Sequence, residues 1–78
     1  MDVEIINTFA LDGRERYLLG NLPNGYWPYN KTVTQMSAYD DNNFAMQINT
    51  NGEIYIINMT PNPQETTSLW GHAVFSLV

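Results

Sequence analysis

The 78-residue chain contains no cysteine and only one histidine. The absence of cysteine excludes a disulfide framework, thiolate metal sites and a cysteine nucleophile. A single histidine cannot form a multi-histidine metal cluster. We therefore expect no metal and no other cofactor. At this length residues 1–78 form a single domain, and its stability must come from its own core, from a partner subunit, or from both.

Basic residues are also scarce, since Arg14, Arg16 and Lys31 stand against eight acidic residues and the net charge is −5. Domains that neutralise phosphates need clustered lysine and arginine, so nucleic acid and anionic membrane surfaces are poor partners. No apolar run approaches the roughly 20 residues of a membrane span. The residues Met1–Glu4 lack the basic and apolar regions of a signal peptide.

Apolar residues nowhere recur at helical spacing, whereas strand-like segments follow one another along the chain. Residues 60–67 are predicted to be a loop, because Pro61 and Pro63 remove two donors from any strand ladder. The fold class predicted is all-β, a small antiparallel sandwich or barrel of about six strands. The predicted strands are 3–9, 15–19, 31–38, 44–49, 53–58 and 68–77.

The strongest local signal is Asn51-Gly52, which predicts a two-residue hairpin turn with a positive φ at Gly52. The strands on either side alternate apolar and polar residues, so one face of each should be buried. We expect the core to contain Phe44, Met46, Ile48, Ile54 and Ile56, and to be completed, together with any subunit contact, by Phe9, Phe75 and either Leu69 or Val74.

A second informative stretch runs from Gly20 to Pro28 and combines turn-forming residues with aromatic rings. A proline fixes its own φ and favours an extended conformation for the residue before it, so Trp27 does not belong in a helix. This stretch predicts a rigid loop that holds its rings in fixed directions.

Two segments, Leu22-Pro23-Asn24-Gly25-Tyr26-Trp27-Pro28 and Ile48-Asn49-Thr50-Asn51-Gly52-Glu53-Ile54-Tyr55-Ile56, carry a resemblance to a known family. Over residues 15–78 the chain resembles the C-terminal head domains of bacteriophage tail-fibre, baseplate and receptor-binding proteins. The resemblance implies a homotrimer in the virion, at the tail tip or baseplate, assembled in the bacterial host cytoplasm. It also implies two kinds of partner besides the chain itself, namely a host cell-wall saccharide and other tail or baseplate proteins.

A saccharide site of this kind combines aromatic rings, which cover the C–H faces of sugars, with amide or acidic side chains that bind hydroxyl groups. The candidates are aromatic or polar residues in or beside loops and strand ends: Trp27, Tyr29, Asp40, Asp41, Trp70 and His72. Each ring could instead be buried or contact another subunit. The resemblance implies that the Tyr26–Tyr29 segment is a structural element that closes the sheet. Residues 40–43 lack the ligand spacing of a calcium loop and are better explained as a solvated turn.

Catalysis is not expected. The serines near His72 are not in a nucleophile elbow, and no oxyanion-hole signature is present. The acidic residues lie in turns or loops, where nothing would separate their pKa values as glycoside cleavage requires. Two alternatives to a host-recognition domain remain open. One is a structural virion domain that trimerises or caps a fibre without a ligand, and the other is a small β module that binds a protein by edge pairing.

Overall fold

The computed structural model describes residues 2–5, 9–38, 43–66 and 68–77. These ranges contain eight strands and no helix, which confirms the all-β prediction. The strands are β1 (Asp2–Ile5), β2 (Phe9–Leu11), β3 (Arg16–Asn21), β4 (Thr32–Ala38), β5 (Phe44–Ile48), β6 (Glu53–Asn58), β7 (Gln64–Thr66) and β8 (Leu69–His72). In the described ranges there is no helix that could cross a membrane.

Six strands form one antiparallel sheet in the order β1-β8-β4-β5-β6-β3, which curls into a half-barrel. The other two, β2 and β7, form a small second sheet. The pairing is nested: β4 pairs with β5 at the centre, β3 with β6, β2 with β7, and β1 with β8. The first strand of the chain therefore lies beside the last.

The core occupies the inner face of the curled sheet, which the second sheet covers. Phe44, Met46 and Ile48 of β5 are fully buried, as their alternation predicts. Phe9 of β2 packs edge-on against Phe44, with 5.8 Å between ring centroids. Ile54, Ile56 and Leu69 are buried, and Phe9 and Phe75 pack against the core, as predicted. The core also contains buried residues that the sequence did not predict, including Leu11, Met36 and Ala73. Of the two alternatives in the predicted strand 68–77, Leu69 is buried and Val74 is 81% exposed.

The β5–β6 hairpin has a three-residue loop, Thr50–Gly52, and not the two-residue turn predicted. The Gly52 N–H donates to the Asn49 carbonyl, and the Asn49 N–H donates to the Glu53 carbonyl, both at 2.9 Å. Gly52 has the predicted positive φ, 88°, but Asn51 does not share it. One left-handed glycine at the end of a three-residue loop is the arrangement that forms a bulge, the next commonest hairpin after the two-residue turns.

Three predicted strand boundaries are wrong. The segment predicted as strand 3–9 contains the last three residues of β1 and the first residue of β2, and these belong to different sheets. The predicted loop 60–67 contains β7, which begins only after Pro63 and so keeps its ladder donors. The predicted strand 68–77 ends at His72.

Beyond β8 the chain leaves the sheet and packs across one end of it. Ala73 is buried, the Tyr29 N–H donates to the Ser76 carbonyl at 2.7 Å, and Pro28 and Leu77 form an isolated bridge. The Tyr26–Asn30 loop therefore provides backbone hydrogen bonding for the residues after β8, which no longer pair with a strand of the sheet.

Candidate functional site

Strands β1, β8 and β4 place a row of polar side chains around one indole ring on the outer face of the sheet. Trp70 of β8 is paired with Glu4 of β1 on one side and with Ser37 of β4 on the other. Strand alternation requires this outward direction, because the neighbouring residue Leu69 is fully buried in the core. Trp70 is 45% exposed.

Around Trp70 the outer face forms an open cleft of about 570 Å³. Among the described residues, its walls combine one aromatic ring with carboxylates, an imidazole, an amide and a hydroxyl. The lining residues are Asp2, Val3, Glu4, Gln35, Ser37, Trp70, Gly71 and His72. Of the six candidates from the sequence, Trp70 and His72 are brought together here.

His72 is held in place by the first strand. Its Nδ1 lies 2.5 Å from the Asp2 carboxylate, and Asp2 and His72 are direct cross-strand partners. The hydrogen bond from His72, and then the charge of its imidazole, lower the pKa of the Asp2 carboxyl. With Nδ1 turned towards Asp2, the other ring nitrogen makes no hydrogen bond within the described ranges and is available to a ligand.

Gln35 is also fixed by hydrogen bonds. Its amide nitrogen donates to the Asn43 side-chain oxygen at 2.7 Å and to the Phe44 carbonyl at 3.1 Å. The amide oxygen of Gln35 makes no hydrogen bond with the described residues and can act as an acceptor. Glu4 makes no side-chain hydrogen bond or ion pair with the described residues. The cleft thus offers several acceptors for hydroxyl or amino donors beside an aromatic ring.

Trp27 and Tyr29 lie outside the cleft. The Trp27 ring is half-buried, and its Nε1–H donates to the Leu22 carbonyl at 2.9 Å. Its indole also packs directly against the backbone of Gly52. Trp27 therefore joins its loop to the β5–β6 hairpin. Tyr29 is 67% exposed but does not line the cleft. Asp40 and Asp41 lie outside the described residues.

Sequence reasoning did not identify four polar residues of the cleft: Asp2, Glu4, Gln35 and Ser37. Alternation along β1 does place Asp2 and Glu4 on one face. Nothing local to β1, however, indicates that it pairs with β8, more than sixty positions away in the chain. The site could therefore have been predicted only from the pairing of β8 with β1 and β4, and not from a local sequence motif.

A second, smaller recess of about 320 Å³ lies where β2 and β7 meet the turn before β3. Within the part of the chain that the structure describes, its lining includes the acidic residues Asp12, Glu15 and Glu65 but no aromatic ring. Across the described ranges, no group of three or more histidine and acidic side chains has metal-binding geometry. The cleft around Trp70 is the better candidate for an organic ligand, because it is larger and contains an aromatic ring.

Comparison with protein families, curated proteins and solved structures finds no match to this chain.

Proposed function

We propose that the protein is a non-enzymatic host-recognition domain of a bacteriophage tail or baseplate. It binds a cell-surface saccharide of a Gram-positive host through the cleft around Trp70. In this proposal the domain acts in the virion, at the tail tip or baseplate, together with other tail proteins.

The cleft at Trp70 is the observation that supports binding of a saccharide. Trp70 is 45% exposed, so its indole is accessible to the apolar face of a sugar ring. Glu4, Ser37 and His72 surround it with groups that hydrogen-bond hydroxyls. Because the cleft is open, a single copy should bind weakly. Several copies on one particle would then supply the net affinity by avidity.

We further propose that the domain assembles as a homotrimer, and its exposed apolar residues support this. Tyr26, Tyr29, Val74 and Leu77 are all exposed. They lie on the two segments that the Pro28–Leu77 bridge joins at one end of the sheet. Such a cluster on a small domain suits a contact between subunits. The same cluster favours the second candidate function, a structural virion domain whose exposed rings serve only the trimer contact.

A saccharide-binding assay on matched variants tests the proposal. The purified domain is applied to an array of wall polysaccharides and peptidoglycan fragments from Gram-positive bacteria. For every ligand bound, we expect Trp70→Ala to weaken binding by about tenfold or more, since loss of a stacked ring costs roughly 1–3 kcal/mol where this has been measured for base stacking. The melting temperature should change little because Trp70 contributes little to the core.

The control is Leu18→Ala, which truncates an equally exposed side chain on β3, at the opposite edge of the sheet from the cleft. Leu18→Ala should retain binding. Equal loss in both variants would contradict the assignment of the site to the Trp70 cleft. A domain that binds nothing on the array would favour the structural alternative.

A further inference from the structure

The cleft around Trp70 carries negative charge and contains no lysine or arginine. The three basic side chains of the protein do not line it. Arg14 donates to the Met59 carbonyl at 2.8 Å, and the Arg16 guanidinium lies 4.7 Å from the centre of the Tyr55 ring. Lys31 precedes β4 and is exposed. A ligand with phosphate or carboxylate groups would find no lysine or arginine in the cleft, and the imidazole of His72 already faces the Asp2 carboxylate.

The two carboxylates of the cleft differ in their partners. Asp2 is held by His72, so part of its charge is compensated when the imidazole is protonated. Glu4 has no such partner among the described residues. Its charge is therefore available to a ligand.

Glu4 lies directly beside the indole of Trp70, because the two residues are cross-strand partners. Directly opposed residues of an antiparallel pair have Cβ atoms about 5 Å apart. A cation is attracted to an indole face when it lies within about 6 Å of the ring centre. An ammonium group above Trp70 would therefore also be within reach of the Glu4 carboxylate.

The polar groups around this position include several acceptors. The Gln35 amide nitrogen is already occupied, so its oxygen and the Ser37 hydroxyl oxygen remain for the ligand. An ammonium group has three donors and no acceptor, which matches this set. An N-acetyl group brings one donor and one acceptor and no charge.

We propose that the cleft selects a saccharide with a free amino group over the same saccharide in N-acetylated form. Glu4 is the residue that determines this preference, and Trp70 supplies the ring on which the ammonium and the sugar lie. This inference rests on the proposed function, because it names the class of saccharide that the same site binds.

The test compares glucosamine oligomers with N-acetylglucosamine oligomers of the same length, by titration calorimetry on the intact domain. At mildly acidic pH, where the amine is protonated, we expect the amino form to bind about tenfold tighter, which corresponds to roughly 1.4 kcal/mol. The preference should shrink as salt is added, because the attraction between exposed charges is screened.

Two variants distinguish the role of Glu4 from a general effect of charge. Glu4→Gln should lose most of the preference while still binding the N-acetylated oligomer. Glu65→Gln removes the same charge from β7, outside the cleft, and should keep the preference. If the two variants behave alike, the proposal is overturned.

The remaining outcomes separate this inference from the proposed function. If both oligomers bind equally and Trp70→Ala weakens both, the amino preference is wrong and the saccharide site stands. If the N-acetylated oligomer binds tighter, the inference is likewise overturned. If neither oligomer binds at millimolar concentration, the proposal that the ligand is an amino sugar is overturned. Whether the domain binds any other saccharide is then tested by the array.

Discussion

Among single residues, the side chain of Asn58 forms a network of hydrogen bonds that joins three segments of the chain. It is fully buried at the end of β6. Its amide nitrogen lies within hydrogen-bonding distance of three carbonyl oxygens, those of Leu11, Asp12 and Asn62, at 3.2, 2.9 and 2.8 Å. Its amide oxygen accepts from the N–H and the hydroxyl of Thr60. One amide therefore links β6 to the turn before β3 and to the loop before β7.

Replacing this amide with a carboxylate should be severe at neutral pH. In Asn58→Asp an ionised oxygen would face three carbonyl oxygens, and buried donors or acceptors left unsatisfied cost about 1–3 kcal/mol each. We expect a loss of about 3 kcal/mol or more in the free energy of unfolding, measured by urea denaturation. Asn30→Asp is the control, since it adds the same charge at an exposed position.

The same variant should depend on pH in a defined direction. Burial among carbonyls raises the pKa of the introduced carboxyl in the folded state above its unfolded value of about 3.9. A raised folded-state pKa favours folding below the unfolded pKa, and this contribution is lost as the pH rises through the folded pKa. The deficit relative to wild type should therefore shrink as the pH falls. A deficit that is independent of pH would contradict this account.

Gly25 and Gly52 form a matched pair of left-handed glycines, with φ of 98° and 88°. A Cβ at Gly25 would meet nothing within 4 Å, whereas a Cβ at Gly52 would lie 2.5 Å from the Trp27 Nε1. Both alanine substitutions incur left-handed strain of about 1–2 kcal/mol. Gly52→Ala should cost about 1–3 kcal/mol more, because it also overpacks against Trp27.

Chemical denaturation of the two variants measures this difference directly. Equal destabilisation by Gly25→Ala and Gly52→Ala would show that Trp27 moves aside without cost. Sequence reasoning foresaw the positive φ at Gly52, because Asn-Gly is a local turn signal. It could not foresee the contact with Trp27, because that contact joins two loops far apart in the chain.

At the scale of elements, the β2–β7 sheet covers the core of the half-barrel with only three residues from each strand. Phe9 makes its main aromatic contacts, with ring centroids 5.5 Å from Tyr17 and 5.8 Å from Phe44. A two-stranded sheet is marginal by itself, so this one depends on packing against the larger sheet. If that packing is lost, the β2–β7 sheet should unfold locally while the larger sheet remains folded.

Phe9→Ala tests this dependence. We expect about 2–4 kcal/mol of destabilisation, since Phe9 is partly buried and full truncation of a buried phenylalanine costs about 3–5 kcal/mol. In native-state hydrogen exchange, the amides of β2 and β7 should lose protection while those of β5 and β6 keep most of theirs.

Val33→Ala, which truncates an exposed residue of β4, should change neither measurement. Uniform loss of protection across all strands in Phe9→Ala would mean that the two sheets open together.

The elements differ in how far the sequence predicts them. β5 and β6 alternate around a turn signal, so the inward faces of Phe44–Ile48 and Ile54–Ile56 were predicted correctly. The burial of Ala45 and Asn58 was not predicted, because Ala45 breaks the alternation and Asn58 is a polar residue at an inward position. β7 was missed because Gln64–Thr66 contains no apolar residue, and its single buried side chain is Thr66. Of the cleft, the sequence predicted only the residues on β8, Trp70 and His72, which lie on the same face of that strand. Its other walls come from β1 and β4, and no local pattern specifies that neighbours so distant in sequence will pair.

At the scale of the whole molecule, the proposed trimer predicts a mass in solution of three 8.9-kDa chains. Light scattering coupled to size exclusion, at micromolar concentration, measures it. If the apolar cluster on the joined segments 26–30 and 74–77 forms the contact, Val74→Asp should shift the protein towards monomer, because a charge would be buried without a partner.

Val33→Asp is the matched control, since Val33 is a valine that is also exposed but lies on the outer face of β4. It should leave the mass unchanged. A wild-type monomer at micromolar concentration would contradict the trimer, and would also weaken the resemblance to phage head domains.

Nested pairing also determines how the molecule would respond to a pulling force. Asp2 and His72 are cross-strand partners at the outer edge of the sheet, so a force that separates them loads the β1–β8 hydrogen bonds one after another and not all at once. Antiparallel strands opened from one end peel apart like a zipper, and each bond bears the load alone. The mechanical resistance of the domain should therefore be low along this axis. A particle that held its host through this domain would need to apply the load elsewhere, or share it among copies.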